Sequence, residues 1–346
     1  MTGALAVVAA APWFELPEAH VAKTPPEDRG LRRDGVKLLV TTASLHHRTF
    51  SELDQILEPG DLLVVNDSAT LAAAVDVDPE TVIHFSTAID GGFQIVEVRR
   101  RVGSGSERSR YVNGRTLRLP GGAVLELLTP YPAGDSSGRL WLANATLPIG
   151  LHAYLGKHGR PITYDPAVIP QPLDSYQTVF ARTPGSAEMP SAGRPFTADL
   201  VTRLVRRGIG IAPITLHAGV SSLEIGESPY PEWFEVSPAT AGLINHTRRC
   251  GHRVVAVGTT VVRALETVAS DERAHPGRGW TDLYVGPSHK MSLVDGLITG
   301  WHEPASTHLE MLLAVGGSRA IEDSYAAALN AGYLWHEFGD SHLILT

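Results

Sequence analysis

Between residues 81 and 145 the chain carries five β-rich runs in succession, at 81–87, 93–100, 116–120, 123–129 and 139–145, separated by Gly, Asn, Asp and Ser with no helical interval. Strands that follow one another without a crossover helix pair with their sequence neighbours, which predicts a small barrel or sandwich. On both sides of this block strand and helix alternate. A short helix at 51–57 and the Glu58-Pro59-Gly60-Asp61 turn lead into a buried strand at 62–65. Thr197 is placed to cap a helix that reaches Arg207 and stops at Gly208, ahead of a strand at 209–217. Ser237-Pro238 opens another helix, ended by Gly251. A strand at 253–257 enters a helix near Thr260; strands at 281–285 and 291–299, helices at 306–315 and 319–331, and a strand at 342–345 complete the chain. The predicted architecture is an α/β main domain, a mixed sheet with flanking helices, built from residues 1–69 and 149–346, with a small antiparallel β-barrel domain inserted at 70–148.

The 346 residues suffice for two such cores, and 43% hydrophobic with 19% charged residues excludes disordered and collagen-like chains. Lys+Arg 29 against Asp+Glu 37 gives a net charge of -8, so the whole chain has no general attraction for nucleic acid or anionic membrane, and any RNA contact is local. A lone cysteine, Cys250, makes neither an internal disulfide nor a Cys-rich zinc site and fits a reducing, cytoplasmic setting. No run approaches the roughly 20 apolar residues of a membrane span. Residues 1–12 are apolar and Ala-rich, but no Lys or Arg precedes them, and they read as a loose arm.

The most informative segment is Arg253-Val-Val-Ala-Val-Gly-Thr-Thr-Val-Val-Arg-Ala-Leu-Glu266. A buried strand passing through Gly258 into a helix presents unpaired N–H groups and the positive dipole end at the turn, which suits an anion. Thr259 and Thr260 can cap the helix or bind a ligand, and Arg263 and Glu266 lie one turn apart on one face. The alternative is a plain capped helix with a surface ion pair. The Walker spacing is missing, and Gly208-Ile-Gly210 stands in the wrong strand and helix order for a dinucleotide fingerprint. Among fifteen histidines no spacing supports a metal: Pro304 separates His302-Glu303 from His308, and adjacent His46 and His47 point apart in a strand. His217 and His302 sit where strands give way to loops, the place ligands occupy in open α/β sheets, and a histidine there serves acid–base chemistry or a structural hydrogen bond. Asp295 and Asp340 are similarly placed, as acids or as turn formers. Seven arginines, Arg99, Arg100, Arg101, Arg108, Arg110, Arg115 and Arg118, are interspersed with Asp90, Glu97 and Glu107, so a solvated face competes with a phosphate-binding one.

An ordered set of short segments resembles the S-adenosylmethionine:tRNA ribosyltransferase-isomerases of queuosine biosynthesis. It comprises Phe14-Glu-Leu-Pro17, Pro59-Gly-Asp-Leu-Leu-Val-Val-Asn66, Tyr176-Gln-Thr-Val179, Ser191-Ala-Gly193 with Phe196, Thr215-Leu-His-Ala-Gly219, Val255-Ala-Val-Gly-Thr-Thr260 with Arg263 and Glu266, Val294-Asp-Gly-Leu-Ile-Thr299, His302, Pro304, Ser306-Thr307 and Phe338-Gly-Asp340. The resemblance implies an α/β domain with an inserted β-barrel, and S-adenosylmethionine used as ribosyl donor. The ribosyl part passes to a 7-aminomethyl-7-deazaguanine base of tRNA and is isomerised, with release of adenine and methionine. It further implies His217, His302, Glu266 and Asp295 as catalytic residues. Gly258, Thr259, Thr260, Arg263, Ser191, Gly193, Gln177, Thr178 and Asp340 would then contact S-adenosylmethionine, with no metal and no membrane partner. The sulfonium acidifies the adjacent ribose carbon, so the site needs a base, for which His217 and His302 are alternatives, and a cradle for methionine at Gly258-Thr259-Thr260.

The chain departs from the family pattern at several points. Asn66-Asp-Ser-Ala-Thr-Leu-Ala-Ala-Ala74 lacks the two arginines of N-[TD]-[TS]-R-V-I-P-A-R, and Pro195 replaces the histidine of P-T-A-G-L-H-F. Glu227-Ser-Pro-Tyr-Pro-Glu232 keeps only the glutamate of H-x-M-H-S-E. Arg160-Pro-Ile-Thr-Tyr164 stands at P-L-P-P-Y-I, and Thr299-Gly-Trp-His302 at T-N-F-H. Three function classes follow: a tRNA-modifying transferase, a paralogue using S-adenosylmethionine on a small acceptor, and a non-catalytic S-adenosylmethionine- or RNA-binding protein.

Overall fold

The computed structural model describes residues 14–109, 115–132, 138–166, 168–220, 229–304 and 306–346; the arm read at residues 1–12 and Arg110 lie outside them. Nine strands form one mixed sheet in the order Gly277–Thr281, Glu232–Val236, Gly210–Leu216, Leu62–Asn66, Val254–Val257, Gly296–Gly300, Ser341–Leu345, Lys37–Thr41, Leu45–Thr49. The four central strands, from Gly210–Leu216 to Gly296–Gly300, run parallel, as does the Ser341–Leu345 pairing with Lys37–Thr41. The remaining pairings are antiparallel. Continuous apolar runs such as Leu62-Leu-Val-Val65 are what such strands require, because both faces are covered. Leu62, Val64, Val254, Ala256 and Leu297 enter the core on one face, and Leu63, Val65, Val255, Val257 and Ile298 enter the core on the other.

Helices Pro238–Arg249, Thr259–Thr267, Thr307–Gly316 and Ser318–Asn330 cover the first face, and Ala198–Arg206 covers the second through Leu200 and Leu204. Each of those buried leucines contributes roughly 1.5–3 kcal/mol. Side chains cap three of these helices: Thr197 accepts from the Leu200 amide at 3.1 Å, Ser237 from Thr240 at 3.1 Å and Ser306 from Leu309 at 3.2 Å.

Residues 74–146 form a separate, curled antiparallel sheet along the path Ala74–Asp76, Thr81–Ala88, Phe93–Val102, Leu140–Thr146, Val124–Tyr131, Thr116–Arg118, with Gly105–Arg108 paired beside Phe93–Val102. Register shifts at Phe85/Thr87 and Leu127/Thr129 bend it. Alternation sends Ile83, Val96 and Trp141 to a core closed by Tyr154 and Leu155, and sends Val82, Ile95 and Leu140 toward Ile162, Ala187 and Val220. Three of the seven arginines have acidic partners: Arg99 binds Glu97 and Ser106, Arg100 pairs with Glu107, and Arg101 lies 3.4 Å from Asp76. For these three the solvated, paired reading holds.

Two predicted strands differ from expectation. The strand placed at 281–285 lies four residues earlier, at Gly277–Thr281, and ends there because the Arg263 guanidinium takes the carbonyls of Thr281 and Leu283. The strand placed at 291–299 starts at Gly296, because the Ser292 and Leu293 amides donate to Glu266 instead of a ladder. The Lys37–Thr41/Leu45–Thr49 hairpin, the Glu232–Val236 strand and the Leu151–His158 helix carry weak signals. The hairpin's outer strand is polar and exposed, and the helix follows Gly150 without a side-chain cap.

Candidate active site

A cavity of about 500 Å³ opens between the carboxyl ends of the central strands and the curled sheet. Gly258, Thr259 and Thr260 line it from the end of Val254–Val257, and Thr299, Trp301 and His302 from the end of Gly296–Gly300. Ser86, Ile95, Tyr131 and Leu140 face them from the curled sheet. Strand ends of this kind are where open α/β sheets bind ligands.

Gly258 adopts φ +103°, a conformation that favours glycine, and its amide donates to the Ile298 carbonyl at 2.8 Å. The chain turns there into Thr259–Thr267, whose first amides have no intrahelical acceptor and point their dipole at the cavity. Ser191 lines the same wall, and a Cβ on Gly258 would stand 3.5 Å from that of Ala192. His302 also faces the cavity. Its Nε2 lies 2.9 Å from Thr299 Oγ1, and its carbonyl accepts from the Trp335 indole at 3.1 Å. Burial, with His308 and His342 adding to it, holds the His302 imidazole well below its ordinary pKa, so it is neutral at physiological pH with a free lone pair, and the same burial disfavours its protonated form.

The structure separates the other sequence-predicted residues from this wall. His217 stacks on Trp233 at 5.2 Å and bonds Ser68 at 2.8 Å; it does not line the cavity. Glu266 holds the 292–293 backbone, and Asp295, at the amino end of its strand, holds Arg248 and the Val254 amide. Arg263 touches the cavity, but its guanidinium is committed to Glu232 and to the carbonyls of Tyr230, Thr281 and Leu283. Gln177 makes a two-way amide pair with the Thr70 backbone, at 3.0 and 2.8 Å. Thr178 accepts from the Phe180 amide and packs against Gly193. Asp340 accepts from the amides of Lys37 and Leu334 at 2.7 and 2.8 Å, clasping the loop from Leu334 to Asp340.

That loop carries a group that sequence reasoning does not single out. Glu337 lines the cavity, and burial, reinforced by the charge of Glu188, pushes its carboxyl up to about 8 against the pull of Arg194. Glu188 lines the same cavity and accepts from the Tyr164 hydroxyl at 2.5 Å. His336, next to Glu337, has φ +85°, a strained value for a non-glycine residue. The signal in the sequence is modest: an acid beside each of two recognised segments, Ser191-Ala-Gly193 and Phe338-Gly-Asp340. Among the described residues no group of three or more His, Cys, Asp or Glu is arranged to hold a metal ion, and no helix is long and apolar enough to cross a membrane.

The sequence profile of the family described as "Queuosine biosynthesis protein" matches residues 12–344. The chain is 37% identical to an S-adenosylmethionine:tRNA ribosyltransferase-isomerase of Moorella thermoacetica, over 96% of this chain and 98% of that protein. It is 35% identical to the protein of the same name from Symbiobacterium thermophilum, with the same coverage. It is also similar to the crystal structure of an S-adenosylmethionine tRNA ribosyltransferase from Thermotoga maritima. That likeness has a TM-score of 0.54 and 27% identity, across 96% of this chain and 99% of that one.

Proposed function

The chain belongs to the queuosine biosynthesis protein family, and we infer from that membership that it is an S-adenosylmethionine:tRNA ribosyltransferase-isomerase. S-adenosylmethionine is its ribosyl donor, a 7-deazaguanine base of tRNA its acceptor, and adenine and methionine its by-products. The observation that carries the reading is full-length similarity to proteins of that name, combined with a cavity at the carboxyl end of the parallel strands. No observation favours a small acceptor or a non-catalytic binder over it. We read residues 70–148 as an inserted barrel domain, residues 1–69 and 149–346 as the catalytic domain, and the cytoplasm as the place of action.

Within this reading the Thr259 and Thr260 amides and the helix dipole take the methionine carboxylate, with Ser191 alongside. His302 is the base for the ribose carbon next to the sulfonium, since it faces the cavity as a neutral imidazole and His217 does not. Trp280 and Tyr284, exposed aromatics that line the cavity, offer flat faces to a splayed anticodon-loop base.

His302→Ala should lower turnover by about 10²–10⁴ while changing S-adenosylmethionine affinity little; an active variant removes His302 from this role. Gly258→Val forces a β-branched residue into φ +103° and crowds the turn. Affinity should fall about tenfold or more with the fold retained, and unchanged affinity refutes the cradle. The whole reading is tested by incubating the protein with S-adenosylmethionine and precursor-bearing tRNA. Adenine and methionine released in step with a mass gain on the RNA support it; neither release nor gain refutes it.

A further inference from the structure

The ligand read for this cavity brings a sulfonium and an amino-acid group, and the cavity wall carries two carboxyls, Glu188 and Glu337, close enough for the charge of one to act on the other. Among the described residues no base forms an ion pair with Glu337. Arg194 acts on it through space: its Nε and Nη2 are bound to the Ser175 carbonyl and to Glu27 at 3.0 Å, it lies over the Phe338 ring, and its buried Nη1 makes no hydrogen bond to Glu337 or to any other group among the described residues. Arg263 is spent on Glu232. A second feature of the same wall is Tyr176, 2% exposed, whose buried hydroxyl lacks a well-formed hydrogen bond, Thr163 offering only a weak one, and which feels the charge of Glu337. Burying an unsatisfied hydroxyl beside a half-buried carboxyl costs stability unless something else completes its hydrogen bonding.

The position of the pair matters. Glu337, Ser191 and Ala192 share the wall of a small recess beside the main cavity, and Ala192 also packs against the Gly258 turn. An anion-accepting helix end and a carboxyl pair thus flank one short segment, the arrangement that matches the two charges of an amino-acid group.

We propose that Glu337, with Glu188 and the Tyr176 hydroxyl on the same cavity wall, forms a receptor for a primary ammonium group on the ligand, and that the arriving cation drives a proton from this wall to solvent. The inference rests on the cavity being the S-adenosylmethionine site. Two sources carry this chemistry: the α-ammonium of S-adenosylmethionine, and the aminomethyl group of the acceptor base. The groups facing Glu337 are Glu188, Arg194 and Tyr176, with His336 adjacent and Asp165 acting on His336. Burial lowers the His336 imidazole, so it is neutral and does not supply the missing cation. Tyr164 holds Glu188 by a hydroxyl hydrogen bond, which favours Glu188 as the ionised partner and Glu337 as the protonated one.

Calorimetry in two buffers of different ionisation enthalpy, at neutral pH, counts the protons released. S-adenosylmethionine should bind the wild type with proton release and with an affinity that rises with pH. Glu337→Gln should abolish the release and weaken binding roughly tenfold, the size of one charge-assisted hydrogen bond. If S-adenosylmethionine releases a proton and its deaminated analogue does not, its own ammonium is the occupant. If release appears only with 7-aminomethyl-7-deazaguanine, the acceptor amine is. Binding of both ligands without proton release, equal in wild type and Glu337→Gln, overturns the inference and leaves the function intact. Failure of S-adenosylmethionine to bind the wild type at all overturns the reading of the cavity, and the inference with it. Should the variant not fold, the wild type alone decides: affinity that rises with pH supports the receptor, and affinity that stays flat through neutral pH for both ligands overturns it.

Discussion

Two glutamates in this molecule, one buried in the curled sheet and one half-buried at the cavity wall, have opposite fates. Glu97, in the curled sheet, meets Arg139 at 2.9 Å, Arg99 at 2.8 Å and the His84 ring at 3.4 Å. Burial alone would raise its pKa, but His84, Arg139 and Arg99 hold it at about 2. Glu337, at the cavity, has no such partner among the described residues, and burial with Glu188 takes it to about 8. The same side chain is held toward the anion in one region and pushed toward the protonated form in the other. A charge completed by the fold belongs to the fold; one left incomplete at a cavity wall is available to a ligand. Tyr164 links the two regions, with its ring 4.8 Å from the Arg99 guanidinium and 5.4 Å from His84, and its hydroxyl on Glu188.

The largest effect expected from breaking this contrast is at Arg139. Arg139→Met removes the fully buried arginine of the pair that holds Glu97, leaving Arg99 alone to balance it, and should cost about 3 kcal/mol, read as a fall in melting temperature. Glu97 stabilises the fold above its ordinary range near 4.5, and that contribution is lost as pH falls toward 2, so the wild type should lose stability steeply there while Arg139→Met shows a flatter acid limb. A variant as stable as wild type would mean that the sheet does not need the network.

Glu337 has the opposite sign. Its folded pKa lies above the unfolded value, so the native state holds a proton that the unfolded chain gives up between about 4.5 and 8, and stability falls as pH rises through that window. Glu337→Gln removes the penalty. It should match the wild type near pH 4 and exceed it at pH 8 by roughly 1–3 kcal/mol, less than the full shift because the cavity admits solvent. A variant less stable than wild type at high pH contradicts the assignment. The smallest effect is at the bridge: Tyr164→Phe deprives Glu188 of a donor, so Glu188 carries less charge and the titration of Glu337 drops by a fraction of a pH unit to about one.

How much of this was legible in the sequence follows the same division. The succession of strands at 81–145, the caps at Thr197 and Ser237 and the Gly258 turn are local signals, and local backbone geometry answers to them. Arg263, Gln177, Asp340 and Glu266 were recognisable as special residues, yet their work is to hold backbone at Leu283, Thr70, Leu334 and Leu293. Sequence spacing could not reveal those partners, because they lie up to 107 positions away, as for Gln177 and Thr70. Glu188 and Glu337 escaped notice for a related reason. Each sits in a loop without periodicity, and their significance comes from lining one cavity, which only the fold creates, although they stand 149 positions apart in the chain.

The most direct test of this account is a titration of the Glu337 carboxyl itself, by carbon NMR of side-chain-labelled glutamate with Glu337→Gln to assign the signal, in the free protein and with S-adenosylmethionine bound. The account predicts a protonated carboxyl at neutral pH in the free protein that becomes ionised when the ammonium-bearing ligand enters. A carboxyl already ionised in the free protein, or one still protonated with both S-adenosylmethionine and the acceptor base in place, would contradict it.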